Sequence, residues 1–141
     1  MADEGNSYLR AICELLVGDD GPGSLAIGST LFYGYRPQDA PDACTVVMDR
    51  VGASVNTYVT GVLTARIQFL TRGLTYPAAE IEALRIAAYI ADLRGQFIDG
   101  DGWTWVIHST DVTSPAFIGQ DDKSRFEFSA NVSFRLRKME V

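Results

Sequence analysis

This chain of 141 residues is poor in several things at once: it has one histidine, two cysteines, few cations for its acids and no long apolar run. Each shortage removes a class of function. A zinc site gathers several Cys or His side chains at short spacing, whereas Cys13, Cys44 and His108 stand far apart. Two cysteines are too few for the disulfide framework of a small secreted domain. No stretch approaches the ~20 apolar residues that a membrane-spanning helix requires. The opening Met-Ala-Asp-Glu-Gly has neither a basic stretch nor an apolar one, so no signal peptide is expected, and synthesis in a reducing cytoplasm follows. The net charge of −6 disfavours nucleic-acid binding, which needs cations to neutralise phosphates. The glycines form neither a GxGxxG nor a Walker pattern.

What is present is an ordinary globular composition, 47% apolar and 21% charged, at a length that suits one domain over residues 1–141. The charge is unevenly placed. Residues 1–22 carry net −4, residues 23–98 net zero, residues 99–122 five aspartates and no base, and residues 123–141 net +3. The acidic tract followed by a basic end fits complementary contacts between neighbouring copies. Solvated loops and a charged strand face explain it equally well.

Periodicity is clearest between Leu63 and Leu136. Leu63, Ala65, Ile67 and Phe69 alternate with polar residues, and so do Phe126, Phe128, Ala130, Val132, Phe134 and Leu136. Period two marks strands with one face in a core. The spacing predicts strands at 31–35, 44–49, 58–70 and 103–112 and from Phe126 on, with a polar connection at 50–57. A tight turn is expected at 99–102, and a long polar loop at 111–124 that orders on assembly. Helical spacing of Leu9, Ile12, Cys13, Leu16 and Val17 predicts a first helix over 7–17, capped by Asn6 and stopped by Gly18. A second is expected over 77–94. Thr75 caps it, Pro77 sits in its first turn, Glu80 and Glu82 lie near its positive end, and Arg94-Gly95 ends it. Ile81, Leu84, Ala88 and Ala91, with Ile86, Ile90 and Leu93, give it a broad apolar face. The fold class that follows is α+β, a mainly antiparallel sheet with two helices packed on one side.

Candidate chemistry is thin. His108, Ser109 and Asp111 are triad residue types, but strand neighbours point to opposite faces. Asp99-Gly-Asp-Gly is a fragment of a calcium loop without its downstream Glu, and turn geometry alone accounts for it. No catalytic residue, metal or cofactor is therefore expected. Contact surfaces are the better candidates. Arg66, Arg72, Arg135 and Arg137 lie on the polar sheet face, where they pair with carboxylates of this chain or of a neighbour. Trp103 and Trp105 share a face and serve either the core or an oligomer interface, where Trp is enriched. Asp121, Asp122 and Arg125 complete the set of interface candidates.

The ordered set 65–73 (ARIQFLTRG), Tyr76-Pro77, 88–95 (AYIADLRG), 114–121 (SPAFIGQD) and 125–132 (RFEFSANV), with the leading helix, resembles the small tail-terminator or minor capsid proteins of long-tailed bacteriophages. The resemblance covers most of the chain. It implies a tail-terminator-like α+β fold, no enzymatic site, and a homo-oligomeric ring, commonly a hexamer, in the virion. Such a ring caps the tail tube at the head-proximal end, stops tube polymerisation and joins the tail to the head connector, after assembly in the host cytoplasm. Its partners would be further copies of itself, the tail tube protein and the connector, with DNA only passing through the channel and no membrane. Two other readings stay open: another head-tail neck component, and a small-molecule-binding α+β domain.

Overall fold

The computed structural model describes residues 8–17, 25–49, 54–55, 62–100 and 103–139. The elements run α1 (Tyr8–Leu16), β1 (Leu31–Tyr33), β2 (Cys44–Asp49), β3 (Ser54–Val55), β4 (Val62–Gly73), α2 (Tyr76–Ala91), β5 (Phe97–Gly100), β6 (Trp103–Val112), β7 (Ala116–Gln120) and β8 (Phe126–Lys138). Among the described residues one sheet holds all eight strands, in the order β1-β2-β4-β8-β6-β5, with β3 paired to β4 and β7 paired to β8. All pairings are antiparallel except β1 with β2. The expected α+β class holds.

The long β4–β8 pair is the spine, twelve residues in continuous register from Val62↔Arg137 to Gly73↔Phe126. Its alternation works as the sequence predicts. Ala65, Ile67, Phe69, Ala130, Val132, Phe134 and Leu136 are all buried on one face. Both helices lie on that face. Ile12, Cys13 and Leu16 of α1 and Ile86 and Ile90 of α2 join the same core, with Leu31, Val47 and Ile107. Phe69 and Phe134 are its largest fully buried side chains, each contributing about 1.5–3 kcal/mol of apolar burial. The Tyr89 hydroxyl donates to the Leu15 carbonyl (2.9 Å) and ties the helices together.

Helix α2 starts as expected. Thr75 is the N-cap, and its Oγ1 accepts from the Ala78 N–H (3.2 Å). The helix stops at Ala91, three residues early, because the Asp92 N–H bonds back to Tyr89 and the Leu93 N–H to Ile90 in a tightened last turn. Glu80 and Glu82 fall beyond the first turn, where the macrodipole has faded. The helix lies hard against the end of β4. A Cβ on Gly73 would meet the Ala79 Cβ and backbone N at 3.1 Å, so this position is glycine for want of space.

Three expectations change. Strand β4 runs to Gly73 rather than Leu70, because Thr71 and Arg72 still pair with β2 and β8. The polar connection at 50–57 contains β3, laid against β4. The supposed loop at 111–124 is half strand. It completes β6 and then forms β7, and the two follow each other along one edge of β8, broken at residues 113–115. Nearly every β7 residue is exposed, so no burial alternation marks it; backbone pairing holds it. A bulge between Phe117 and Gly119 is accommodated by the positive φ (+123°) of Gly119. The predicted caps Asn6 and Gly18, and the turn residues 101–102, lie outside the described residues.

Candidate assembly surfaces

The polar face of the sheet divides into two ends. At one end the Gly34–Ala43 connection, which must carry the chain back so that β1 and β2 run parallel, lies against the β4 and β8 termini and is fastened there by arginines. The buried Arg72 guanidinium donates from Nε to the Asp42 carbonyl (3.1 Å) and from Nη2 to the carbonyls of Pro41 (2.7 Å) and Ala40 (3.4 Å). Arg36 pairs with Glu127 (2.9 Å). Arg125 pairs with Asp42 (3.0 Å) and Asp121 (2.7 Å). Asp121 shapes the β7–β8 turn, its Oδ1 accepting from the Lys123 and Arg125 N–H groups. Desolvation disfavours its charge, but the backbone and side-chain hydrogen bonds from Arg125 and the N–H of Lys123 outweigh that and hold its carboxyl below the ordinary range.

Arg72, Asp121 and Arg125 are therefore committed to partners in their own chain, one of the two alternatives left open for the arginines. Asp122 is exposed at the turn between β7 and β8. The clamp also half-buries Glu127, so part of the β8 polar face is screened.

At the other end the face is open. Arg66 sits half-buried at mid-face opposite Ser133. Arg135 and Arg137 are exposed and make no ion pair among the described residues. Trp105 is 8% exposed and part of the core cluster, so its ring has little to offer a second chain. The side chain of Trp103 lies outside the described residues.

Two surfaces escaped sequence reasoning. First, Ile81 and Leu84 are 55% and 50% exposed, and Ala88 and Ala91 are exposed in line with them. They belong not to the sheet-facing side of α2 but to a second apolar stripe on its outer side. The buried set is Ala79, Ala83, Ile86, Ala87 and Ile90. Splitting the helical wheel into two arcs would have shown this. Second, Tyr76, Phe117, Phe126 and Phe128 form an aromatic cluster with ring centroids 5.1–6.1 Å apart. Tyr76 and Phe117 remain 40% and 44% exposed. The Tyr76-Pro77 and Phe117 positions were visible, but only the turn of α2 onto β8 brings them together.

Catalytic chemistry finds little footing. His108 and Ser109 are both exposed, beside a bulge between Ile107 and Ser109 in the pairing of β6 with β8. No hydrogen bond joins them among the described residues. No group of three or more His, Cys, Asp or Glu able to hold a metal occurs among the described residues. Among them, no helix is long and apolar enough to cross a membrane.

No curated protein matches the chain significantly. A family model described as bacteriophage tail terminator protein matches residues 16–138, a span running from the end of α1 to the last residue of β8. That span holds the whole sheet and α2, with both open surfaces. A fold that offers no catalytic cluster among its described residues and whose second helix keeps an apolar side outward suits a component that acts by contact, and the chain belongs to the bacteriophage tail terminator family, structural proteins of the phage tail.

Proposed function

We propose that this protein assembles into a closed ring, a hexamer, at the head-proximal end of the tail, where it caps the tube, ends its polymerisation and joins it to the head connector. Assembly takes place in the host cytoplasm, and DNA passes through the ring without being bound. The observation that carries the assembly reading is α2. A helix stripe of large apolar side chains is ordinarily buried against a partner, and here the stripe through Ile81 and Leu84 has no cover among the described residues. It is the kind of apolar patch that marks a protein contact. The net charge of −6 suits a channel that must not grip phosphates. No catalytic role is assigned.

Ring formation is tested by light scattering and negative-stain imaging of the purified protein, alone and with tail tubes. A closed multimer that Ile81→Asp or Leu84→Asp disperses is expected. A strict monomer in both settings, or a ring indifferent to both substitutions, contradicts the reading.

A further inference from the structure

An open groove of about 440 Å³ lies between the start of α2 and the ends of β2 and β4. Its walls are mostly apolar, with Leu25, Ala43, Cys44, Leu74 and Ala78 prominent. Among the described residues two charged ones line it. Arg72 is already spent on the carbonyls of residues 40–42. Glu82 is different. Its Oε2 meets Arg85 Nη1 at 3.3 Å, but its Oε1 is buried without a hydrogen-bond partner among the described residues. Burial is the main influence on this carboxyl and raises its pKa, against the Arg85 charge, which lowers it. A carboxylate oxygen left without a donor at an apolar wall is costly, and a cationic donor arriving from outside would remove the cost.

The donors stand at the opposite end of the same spine. Arg135 and Arg137 are exposed and make no ion pair among the described residues. They pair across to Thr64 and Val62, whereas the groove begins at Arg72. Eight residues of strand separate Thr64 from Arg72, about 26 Å at the usual strand rise. The two patches of one chain cannot meet, but those of two copies can. Patches that differ and sit at opposite ends generate head-to-tail contacts, the kind that closes a ring.

We propose that the Glu82 groove is the docking site for the Arg135–Arg137 end of β8 from a second copy of this chain, with the apolar wall covering the arginine stems and the carboxylate receiving a guanidinium. The inference rests on the ring reading and names its contact. Arginine suits the site because its stem buries well and its planar head pairs with carboxylates in a bidentate way.

The test is a charge exchange followed by light scattering over a dilution series. Glu82→Arg alone and the pair Arg135→Glu with Arg137→Glu should each weaken assembly at least about tenfold in concentration. Combining all three should restore most of it. Glu82→Gln, which keeps the shape of the side chain, should weaken assembly in the same direction and guards against a folding failure of Glu82→Arg. If the wild type is a ring and every variant assembles as it does, the docking proposal is overturned while the ring stands. If the separate variants fail and the exchange does not restore assembly, the pairing is wrong. If Glu82→Arg keeps the ring but loses binding to tail tubes, the groove serves another protein and the proposal is overturned. A wild type that never assembles overturns this proposal and the ring together.

Discussion

Replacing Arg72 by methionine should destabilise the folded chain by about 2–4 kcal/mol, a large effect for a strand-end arginine. The side chain is 5% exposed, and methionine keeps most of its apolar stem while deleting the guanidinium. Two strong hydrogen bonds are lost, at 3.1 Å to Asp42 and 2.7 Å to Pro41, with a longer one at 3.4 Å to Ala40. A hydrogen bond to a charged group contributes about 1.5–3 kcal/mol. Pro41 and Asp42 are exposed residues, so water can take over part of their carbonyl demand, which places each of the two strong bonds at the lower end of that range. The third adds a fraction. Arg72→Lys should recover little, because a single ammonium cannot serve carbonyls that Nε and Nη2 reach separately. Urea unfolding followed by fluorescence should show a lower midpoint with an unchanged slope. A loss below about 0.5 kcal/mol, the range of ordinary surface substitutions, would refute the idea that this arginine holds the 34–43 connection in place.

Gly73→Ala should cost about 1–2 kcal/mol despite the chain-entropy benefit of losing a glycine, because the new Cβ meets the Ala79 backbone at 3.1 Å and that backbone is held in the first turn of α2; adding Ala79→Gly should relieve only the Cβ part of the clash, and a neutral Gly73→Ala would refute the close approach. Burial, with a smaller contribution from the Glu14 charge, pushes the Cys13 thiol up from 9.0 to about 12. The unfolded thiol ionises first, so the folded state holds more protons above pH 9 and stability should fall as pH rises from about 9 towards 12; Cys13→Ala should flatten that limb, and iodoacetamide should label Cys13 at pH 8 only after unfolding. Burial also works against the Glu82 charge, so Glu82→Gln should leave the isolated chain as stable or more stable at neutral pH while weakening its assembly; a thermal melt of the dilute protein separates the two effects.

The two helices, the two long strands β4 and β8 and the core residues on their apolar faces were legible in the sequence, because a half-buried sheet writes its alternation directly into residues such as Ala65, Ile67, Phe69, Val132 and Phe134; that the two strands pair was not. Strand β7 was not legible. Ala116–Gln120 is exposed nearly throughout, so no burial pattern separates it from a loop. The arginines were recognised as ion-pair residues, yet the sequence does not say which of them turn inward. Arg72 and Arg125 reach residue 42 through a connection that only the parallel β1–β2 pairing brings alongside them, and Asp121 through the β7–β8 turn. The outer stripe of α2 was read as one broad apolar face, because composition does not reveal which arc of a doubly apolar helix meets the sheet. Glu82 drew attention only for its place near the helix start; its orphaned oxygen depends on the packing around the groove.

The most direct measurement is tail length in particles assembled without this protein. Electron micrographs of lysates in which its gene is silenced should show tubes of uncontrolled, mostly excessive length detached from heads, and supplying the wild-type chain should restore uniform, head-joined tails. Tails of normal length joined to heads in its absence would contradict the central claim.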